Sequence, residues 1–162
     1  MRFKLTSELC YFAGLADRVH SHERSRIEFT TSYDELAEKF VECAIRLGVS
    51  TKKMIIEEEE TKKHIYFYHS KLARIIQEVL DQRQFLPKKG KELAASFAAG
   101  MFDSSGHSLK GGIYLKNIEK KDELMFELMG VHTQNGYVLN ARDFLGIIGS
   151  RSFLAKALLT KT

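Results

Sequence analysis

Apolar residues recur at helical spacing in some stretches of the chain and at every second position in others. Residues 5–17 carry Leu5, Leu9 and Phe12 at intervals of four and three, which predicts a helix. Residues 26–30, with the sequence RIEFT, alternate polar and apolar side chains, which indicates a half-buried strand. Because the two periods follow one another along the chain, we expect an α+β protein.

Further elements in the first half follow from the same patterns. A second helix has Leu36, Phe40 and Ala44 on one face, an N-cap between Ser32 and Asp34, and an end at Gly48. Two strand-like runs around a hairpin and a third helix come next. Their predicted ranges are 53–59 and 64–68 for the strands and 71–80 for the helix.

The second half repeats that order in fewer residues. The dipeptide Asn135-Gly136 is a typical hairpin turn and leads into a strand over 137–139. Residues 141–159 form one helix, or two helices broken at Gly149-Ser150. The other predicted elements are a helix over 91–102, a strand over 111–116 and a helix over 122–129.

Several short segments occur twice in the same order. Residues 12–17 (FAGLAD) match residues 98–103 (AAGMFD) at an offset of 86, and the tripeptide DEL at 34 recurs at 122. A Gly-Val pair follows the second helix in each half, at 48 and at 130. Such matches indicate two copies of one supersecondary unit. We therefore expect a single domain with repeat one over 1–86, a linker over 87–90 containing Pro87, and repeat two over 91–162.

The duplicated segment resembles the LAGLIDADG motif of homing endonucleases, in residues 12–20 (FAGLADRVH) and again in residues 98–106 (AAGMFDSSG). The resemblance covers nearly the whole chain. It implies a homing endonuclease-like fold in which two αββαββα repeats are related by a pseudo-two-fold axis, within a monomer. Small side chains allow two motif helices to approach to backbone contact. We expect the first motif helix to end at Asp17 and the second to end at Asp103. The expected repeat interface is Ala13, Gly14, Ala99 and Gly100.

The eighth motif position carries an acidic metal ligand in that family, but here it is occupied by Val19 and Ser105. Neither side chain supplies the carboxylate oxygen that metal-assisted cleavage needs. We therefore expect no catalytic residue, no metal and no cofactor. Asp17 and Asp103, at the sixth position, are residual candidates for a substitute site, and only that alternative would call for Mg²⁺.

The resemblance also implies that the two sheets form a saddle on DNA, with outward strand residues touching phosphates and bases. DNA is the expected partner, and RNA is the alternative. A run of four glutamates, residues 57–60, opposes this, because alternation along a strand turns at least two of them outward. The candidate contacts are Arg24, Arg26, Thr30, Lys62, Lys63, Lys110, Tyr114 and Lys116, whereas Lys88, Lys89 and Lys91 are interpreted as a solvated charge run.

Composition adds few constraints. Of 162 residues, 44% are apolar and 28% are charged, and the net charge of +4 permits a polyanionic partner without requiring one. The apolar runs are too short to span a bilayer and no signal-like segment begins the chain, so a cytoplasmic protein without membrane contact is expected. Cys10 and Cys43 fall in helical apolar patterns and are interpreted as reduced core residues.

Three histidines follow the motifs. His20 and His22 are two residues apart, a spacing that can hold zinc, and His107 follows the second motif. No complete set of ligands accompanies them, so we interpret them as exposed loop residues.

Three functions remain open at this point. The first is a non-cleaving nucleic-acid-binding protein, similar to bacterial sporulation-control regulators that carry a degenerate LAGLIDADG region, with an RNA-binding maturase as a variant. The second is an active site-specific DNA endonuclease that uses Asp17 and Asp103. The third, favoured by the glutamate run, is a protein-interaction module that does not bind nucleic acid.

Overall fold

The computed structural model describes residues 3–17, 25–109 and 112–160. Within those ranges the chain forms eight helices and seven strands. The helices are α1 (Ser7–Leu15), α2 (Asp34–Arg46), α3 (Ser70–Asp81), α4 (Leu86–Lys89), α5 (Lys91–Ser105), α6 (Lys120–Leu128), α7 (Ala141–Ile148) and α8 (Phe153–Thr160). The strands are β1 (Arg26–Thr31), β2 (Ile55–Glu59), β3 (Lys62–Tyr68), β4 (Gly106–Leu109), β5 (Gly112–Leu115), β6 (Thr133–Gln134) and β7 (Tyr137–Val138).

The structure is α+β, as predicted, and the differences lie at the ends of elements. Helix α1 is shorter than predicted, the linker contains the helical turn α4, and the last segment forms two helices, α7 and α8. Tyr33, rather than a side chain that hydrogen-bonds to the backbone, occupies the N-cap of α2. Among the described residues, no helix is both long and apolar enough to cross a membrane.

The strands form two antiparallel sheets. The first has the order β1-β3-β2 and the second has the order β4-β5-β7-β6. The predicted hairpin turn joins β6 and β7, with positive φ angles of 51° at Asn135 and 87° at Gly136. Any counterpart of β4 in the first half would fall on residues 18–24, outside the described ranges. The arrangement is consistent with two repeats related by a pseudo-two-fold axis.

The two motif helices, α1 and α5, cross at backbone contact. A Cβ atom added to Gly14 would collide with the carbonyl oxygen of Phe97, and one added to Gly100 would collide with that of Tyr11. The two contacts are related by one offset of 86 residues in sequence number. Only glycine allows backbones to approach this closely, so the crossing fixes how the two halves sit together.

Each half has its own group of packed aromatic rings. In the first half, Phe40 of α2 stacks on Phe12 at 4.9 Å and on Phe29 at 5.2 Å between ring centroids. In the second half, Phe144 of α7 meets Phe102 and Phe126 edge to face, both at 5.8 Å. The rings are fully buried, and they anchor the helices against the inner faces of the two sheets.

A buried ion pair connects the segment between the halves to α6. The Arg83 guanidinium donates to Asp122 at 2.6 Å and to Glu119 at 2.9 Å, and Asp122 is fully buried. Asp122 also accepts from the Glu119 backbone N–H as part of a capping box. Asp34, matched to Asp122 in the sequence alignment of the halves, is instead exposed at the start of α2. The two aligned aspartates therefore have different environments in the two halves.

Candidate nucleic-acid interface

Asp103 lies inside α5, two residues before its end, and its side chain is 5% exposed. The expectation that this helix ends at Asp103 is wrong. Its carboxylate accepts hydrogen bonds from the Tyr11 and Ser152 hydroxyls, both at 2.6 Å, and from the backbone N–H groups of Phe153 and Leu154, both at 2.9 Å. Asp103 therefore caps the amino terminus of α8 and ties it to α1 and α5.

Asp17 has a different environment. Helix α1 ends at Leu15, because Ala16 has extended backbone angles, so Asp17 follows the helix rather than ending it. Its backbone N–H donates to the Glu28 carbonyl at 2.8 Å. Burial raises the pKa of the Asp17 carboxyl to about 7, the neighbouring Glu28 carboxylate adds to the increase, and His64 opposes it. Asp17 is thus a carboxyl group that titrates near neutral pH.

Of the two eighth motif positions, Ser105 lies in the part of the chain that the structure describes. The Ser105 hydroxyl donates to the Met101 carbonyl of its own helix at 2.8 Å. Val19 lies outside the described residues, as do His20 and His22. His107 is exposed on β4. No cluster of three or more His, Cys, Asp or Glu side chains in the described residues is arranged to hold a metal ion.

A cleft of about 440 Å³ opens where the ends of α1 and α5 meet the strands. Asp17 and Glu119 contribute carboxyl groups to its lining, and Lys116 contributes an amine. Asp103, whose carboxylate caps α8, does not line the cleft. The cleft therefore receives one of the two motif aspartates and not the other.

The outward face of the first sheet mixes cations, carboxylates and aromatic rings. Arg26 forms an ion pair with Glu28 at 3.1 Å, and its guanidinium lies 4.2 Å from the centre of the Tyr66 ring. Glu28 also lies 2.8 Å from His64. The strand register places one set of side chains on this face: Arg26, Glu28, Thr30, Ile55, Glu57, Glu59, Lys62, His64, Tyr66 and Tyr68.

The two hairpin lysines point to opposite faces of β3. Lys62 is exposed on the outward face, paired in register with Glu59. Lys63 lies on the other face, where its amine is 3.1 Å from Asp34 and 3.8 Å from Glu58. Lys63 is thus engaged with carboxylates beside α2, and only Lys62 shares a face with Arg26.

The second sheet presents tyrosines and has few charges. Tyr114 and Tyr137 lie side by side on its outward face, with ring centroids 4.9 Å apart, and His107 is the register partner of Tyr114. Lys116 follows β5, is exposed, and donates its backbone N–H to the Ser105 carbonyl at 3.2 Å. Arg24 and Lys110 both lie outside the described residues.

Sequence reasoning identified Tyr114 but missed Tyr66, Tyr68 and Tyr137, which share these outward faces. Tyr68 and Tyr137 are 45% and 52% exposed, while most of the phenylalanines are in the core. The alternation of Tyr66 and Tyr68 with buried Ile65 and Phe67 was the available signal. What the sequence does not contain is the register that brings these tyrosines beside Arg26.

Comparison with solved structures places this geometry in a known fold. I-DmoI in complex with DNA and Ca superposes with a TM-score of 0.68 at 16% identity, covering 97% of this chain and 100% of that one. The structure of I-DmoI with DNA and Mn gives 0.64 at 15% identity, over 90% and 96%. I-DmoI is a homing endonuclease. The chain has the homing endonuclease fold.

A second type of protein shares the fold. Full-length DUF199/WhiA from Thermatoga maritima superposes with a TM-score of 0.61 at 14% identity, covering 97% of this chain and 60% of that chain. No protein-family profile matches the chain, and no curated protein matches its sequence. At these identities the similarity establishes the fold, and function has to be argued from the chain's own residues.

Proposed function

We propose that this protein binds nucleic acid through the outward faces of its two sheets and does not cleave it. The observation that carries this proposal is the state of Asp103. Its carboxylate accepts four hydrogen bonds within the protein, so the paired aspartates of the motifs cannot share a metal ion without dismantling the cap of α8. Two complexes of I-DmoI with DNA have the same fold. In this chain, the outward sheet faces would bind nucleic acid, and Asp17 is the motif carboxyl group that stays titratable.

The chemistry of phosphodiester cleavage explains why the loss of Asp103 as a metal ligand would prevent catalysis. Magnesium and manganese ions need several hard oxygen ligands, held to within about 0.5 Å of the productive geometry. Asp17 can offer such oxygens in the cleft when it is ionised. Ser105 offers only a neutral hydroxyl that already donates to Met101, and the valine at position 19 has no ligand atom in its side chain.

The surface itself favours nucleic acid over a purely structural role. Tyr68 and Tyr137 are exposed on the two outward faces, where an aromatic ring can stack on a base, a contact of about 1–3 kcal/mol. Lys62 and Lys116 add exposed amines that can approach phosphates. RNA remains the alternative ligand to DNA.

Glu57 and Glu59 support the competing interaction module. Together with Glu28 they place three carboxylates on the outward face of the first sheet against the cations of Arg26 and Lys62, counted over the described residues. Carboxylates near phosphates repel them and reduce affinity. Binding to nucleic acid should therefore depend more on the second sheet and on Lys116 than on the first sheet.

Plasmid nicking tests the absence of cleavage. We expect supercoiled plasmid to remain intact during incubation with the protein and either Mg²⁺ or Mn²⁺, because Asp103 is unavailable as a ligand. The matched control is Asp17→Asn, which removes the remaining motif carboxylate that faces the cleft. Cleavage by the parent protein that is lost in Asp17→Asn would reject this proposal and establish the endonuclease alternative.

A further inference from the structure

The strand β2 is an open edge of the first sheet. Within the described residues it pairs with β3 alone, and all five of its residues are exposed. An open edge presents unpaired backbone N–H and C=O groups, which can bind another strand. Carboxylates at Glu57, Glu58 and Glu59 line this edge.

An apolar groove runs beside the same edge, on the face of the sheet opposite to the proposed nucleic-acid surface. It has a volume of about 370 Å³ and lies between α2 and the strands β2 and β3. Ala37 and Val41, one turn apart on α2, form one wall, and Ile56 and Ile65 form the floor. Ile56 is 54% exposed, so the floor of the groove is open to solvent at this residue.

Acidic side chains surround the groove. Asp34, Glu38 and Glu42 follow the groove along α2, and Glu58 lies on the strand side. Lys63 is the one cation in this lining, and it is already engaged by Asp34 at 3.1 Å and Glu58 at 3.8 Å. The groove and its rim are therefore apolar and anionic together, which fits a partner that is apolar and cationic.

Carboxylates on an edge strand also prevent self-association, and this explains part of the concentration of glutamates on β2. A second copy of the chain would bring glutamates against glutamates, so pairing between two β2 edges is disfavoured. Protection does not explain why Ile56 is exposed beside that edge, or why an apolar groove adjoins it. Selection of a basic partner explains both the charge and the apolar surface.

We propose that β2 and the adjoining groove form a docking site for an extended protein segment in which basic and apolar residues alternate. Added as a strand beside β2, the segment would place its basic side chains opposite Glu57 and Glu59, on the outward face. Its apolar side chains would continue the row formed by Phe29, Ile65 and Ile56 and would fill the groove. Backbone hydrogen bonds provide the affinity in this mode, and the alternation provides the selectivity.

A pair of labelled peptides of identical composition tests the proposal. One alternates lysine and leucine, which suits a strand, and the other carries the same residues at helical spacing. We expect the alternating peptide to bind in fluorescence anisotropy and to slow the hydrogen exchange of the amides of Ile55–Glu59. The double change Glu57→Lys with Glu59→Lys should weaken its binding about tenfold, because two attractive cross-strand pairs become repulsive.

The matched control is Glu123→Lys with Glu127→Lys on α6, which changes the net charge equally on another exposed surface. This control should bind the alternating peptide like the parent. Equal weakening by both double variants, tighter binding of the helical peptide, or unchanged exchange in β2 would each overturn the proposal. Dimerisation of the protein through β2 in place of peptide binding would also overturn it.

Discussion

Asp17 and Asp103 hold the same motif position in the two halves, yet their carboxyl groups have different partners. Asp103 accepts four hydrogen bonds, one from Tyr11 and three from residues 152–154. Asp17 is partly buried beside Glu28 and keeps its proton to about pH 7. One aspartate has become a cap for α8, and the other is a titratable group in a cleft.

The raised pKa of Asp17 predicts a pH-dependent cost to stability. Its folded-state pKa of about 7 exceeds the ordinary value of 3.8, so between those values the folded protein retains a proton that the unfolded chain has released. Stability from this group is therefore present below about pH 4 and is lost as the pH rises through 7. Asp17→Asn should match the parent near pH 4 and exceed its free energy of unfolding at pH 8 by up to about 4 kcal/mol.

Urea unfolding of both proteins across this pH range measures the difference directly. The parent's other titrating groups are common to both proteins and cancel in the comparison. A difference in the free energy of unfolding that stays constant from pH 4 to pH 8 would show that the Asp17 carboxyl is not held protonated by its surroundings.

The role of Asp103 could not be predicted from the sequence, because its partners are distant along the chain. Tyr11 and Ser152 lie 92 and 49 residues away from it. The motif correctly located an aspartate near the helix crossing. Only the tertiary structure shows that this carboxylate accepts four hydrogen bonds within the protein and is not free to bind a metal ion.

Among the secondary-structure elements, the crossing of α1 and α5 is the contact on which the fold depends most. Gly100→Ala would direct a methyl group at the Tyr11 carbonyl and to 2.8 Å from the Leu15 nitrogen. Because these are backbone atoms of the facing helix, the helices would have to separate. We expect the free energy of unfolding to fall by about 1–3 kcal/mol or more.

Gly146→Ala is the matched control, since Gly146 is also helical and a Cβ added there would meet no atom within 4 Å. That change should stabilise the protein by about 0.5–1 kcal/mol through helix propensity. Urea unfolding compares the two variants. Equal effects of Gly100→Ala and Gly146→Ala would contradict the close crossing.

The buried face of a helix was predicted more accurately than the ends of a strand, for a physical reason. The buried face of α2, with Leu36, Phe40 and Ala44, is a local property of spacing and is confirmed. Lys62 and Lys63 fall in the predicted hairpin turn between 59 and 64, but both belong to β3, where successive side chains point to opposite faces. This is why the hairpin lysines were predicted together but lie on opposite faces.

At the scale of the whole molecule, charge is unevenly distributed between the two sheets. The net charge is +4, but the outward face of the first sheet carries more carboxylates than cations among the described residues. Around β5, the exposed Lys116 stands near His107 and the tyrosine pair. The fold class was predictable from motif order, whereas this asymmetry emerges only when the strands are assembled.

The central claim is that these faces bind nucleic acid, and salt-dependent fluorescence anisotropy with mixed-sequence DNA and RNA tests it most directly. Affinity should fall with salt, and Lys116→Ala should reduce the slope on duplex DNA by about one, since each phosphate contact contributes about 0.9 log units per decade of salt. Lys88→Ala, which removes an exposed amine from the turn between the halves, should leave the slope unchanged. Absence of binding to both DNA and RNA at micromolar protein, at low salt, would contradict the claim and favour a protein-interaction module.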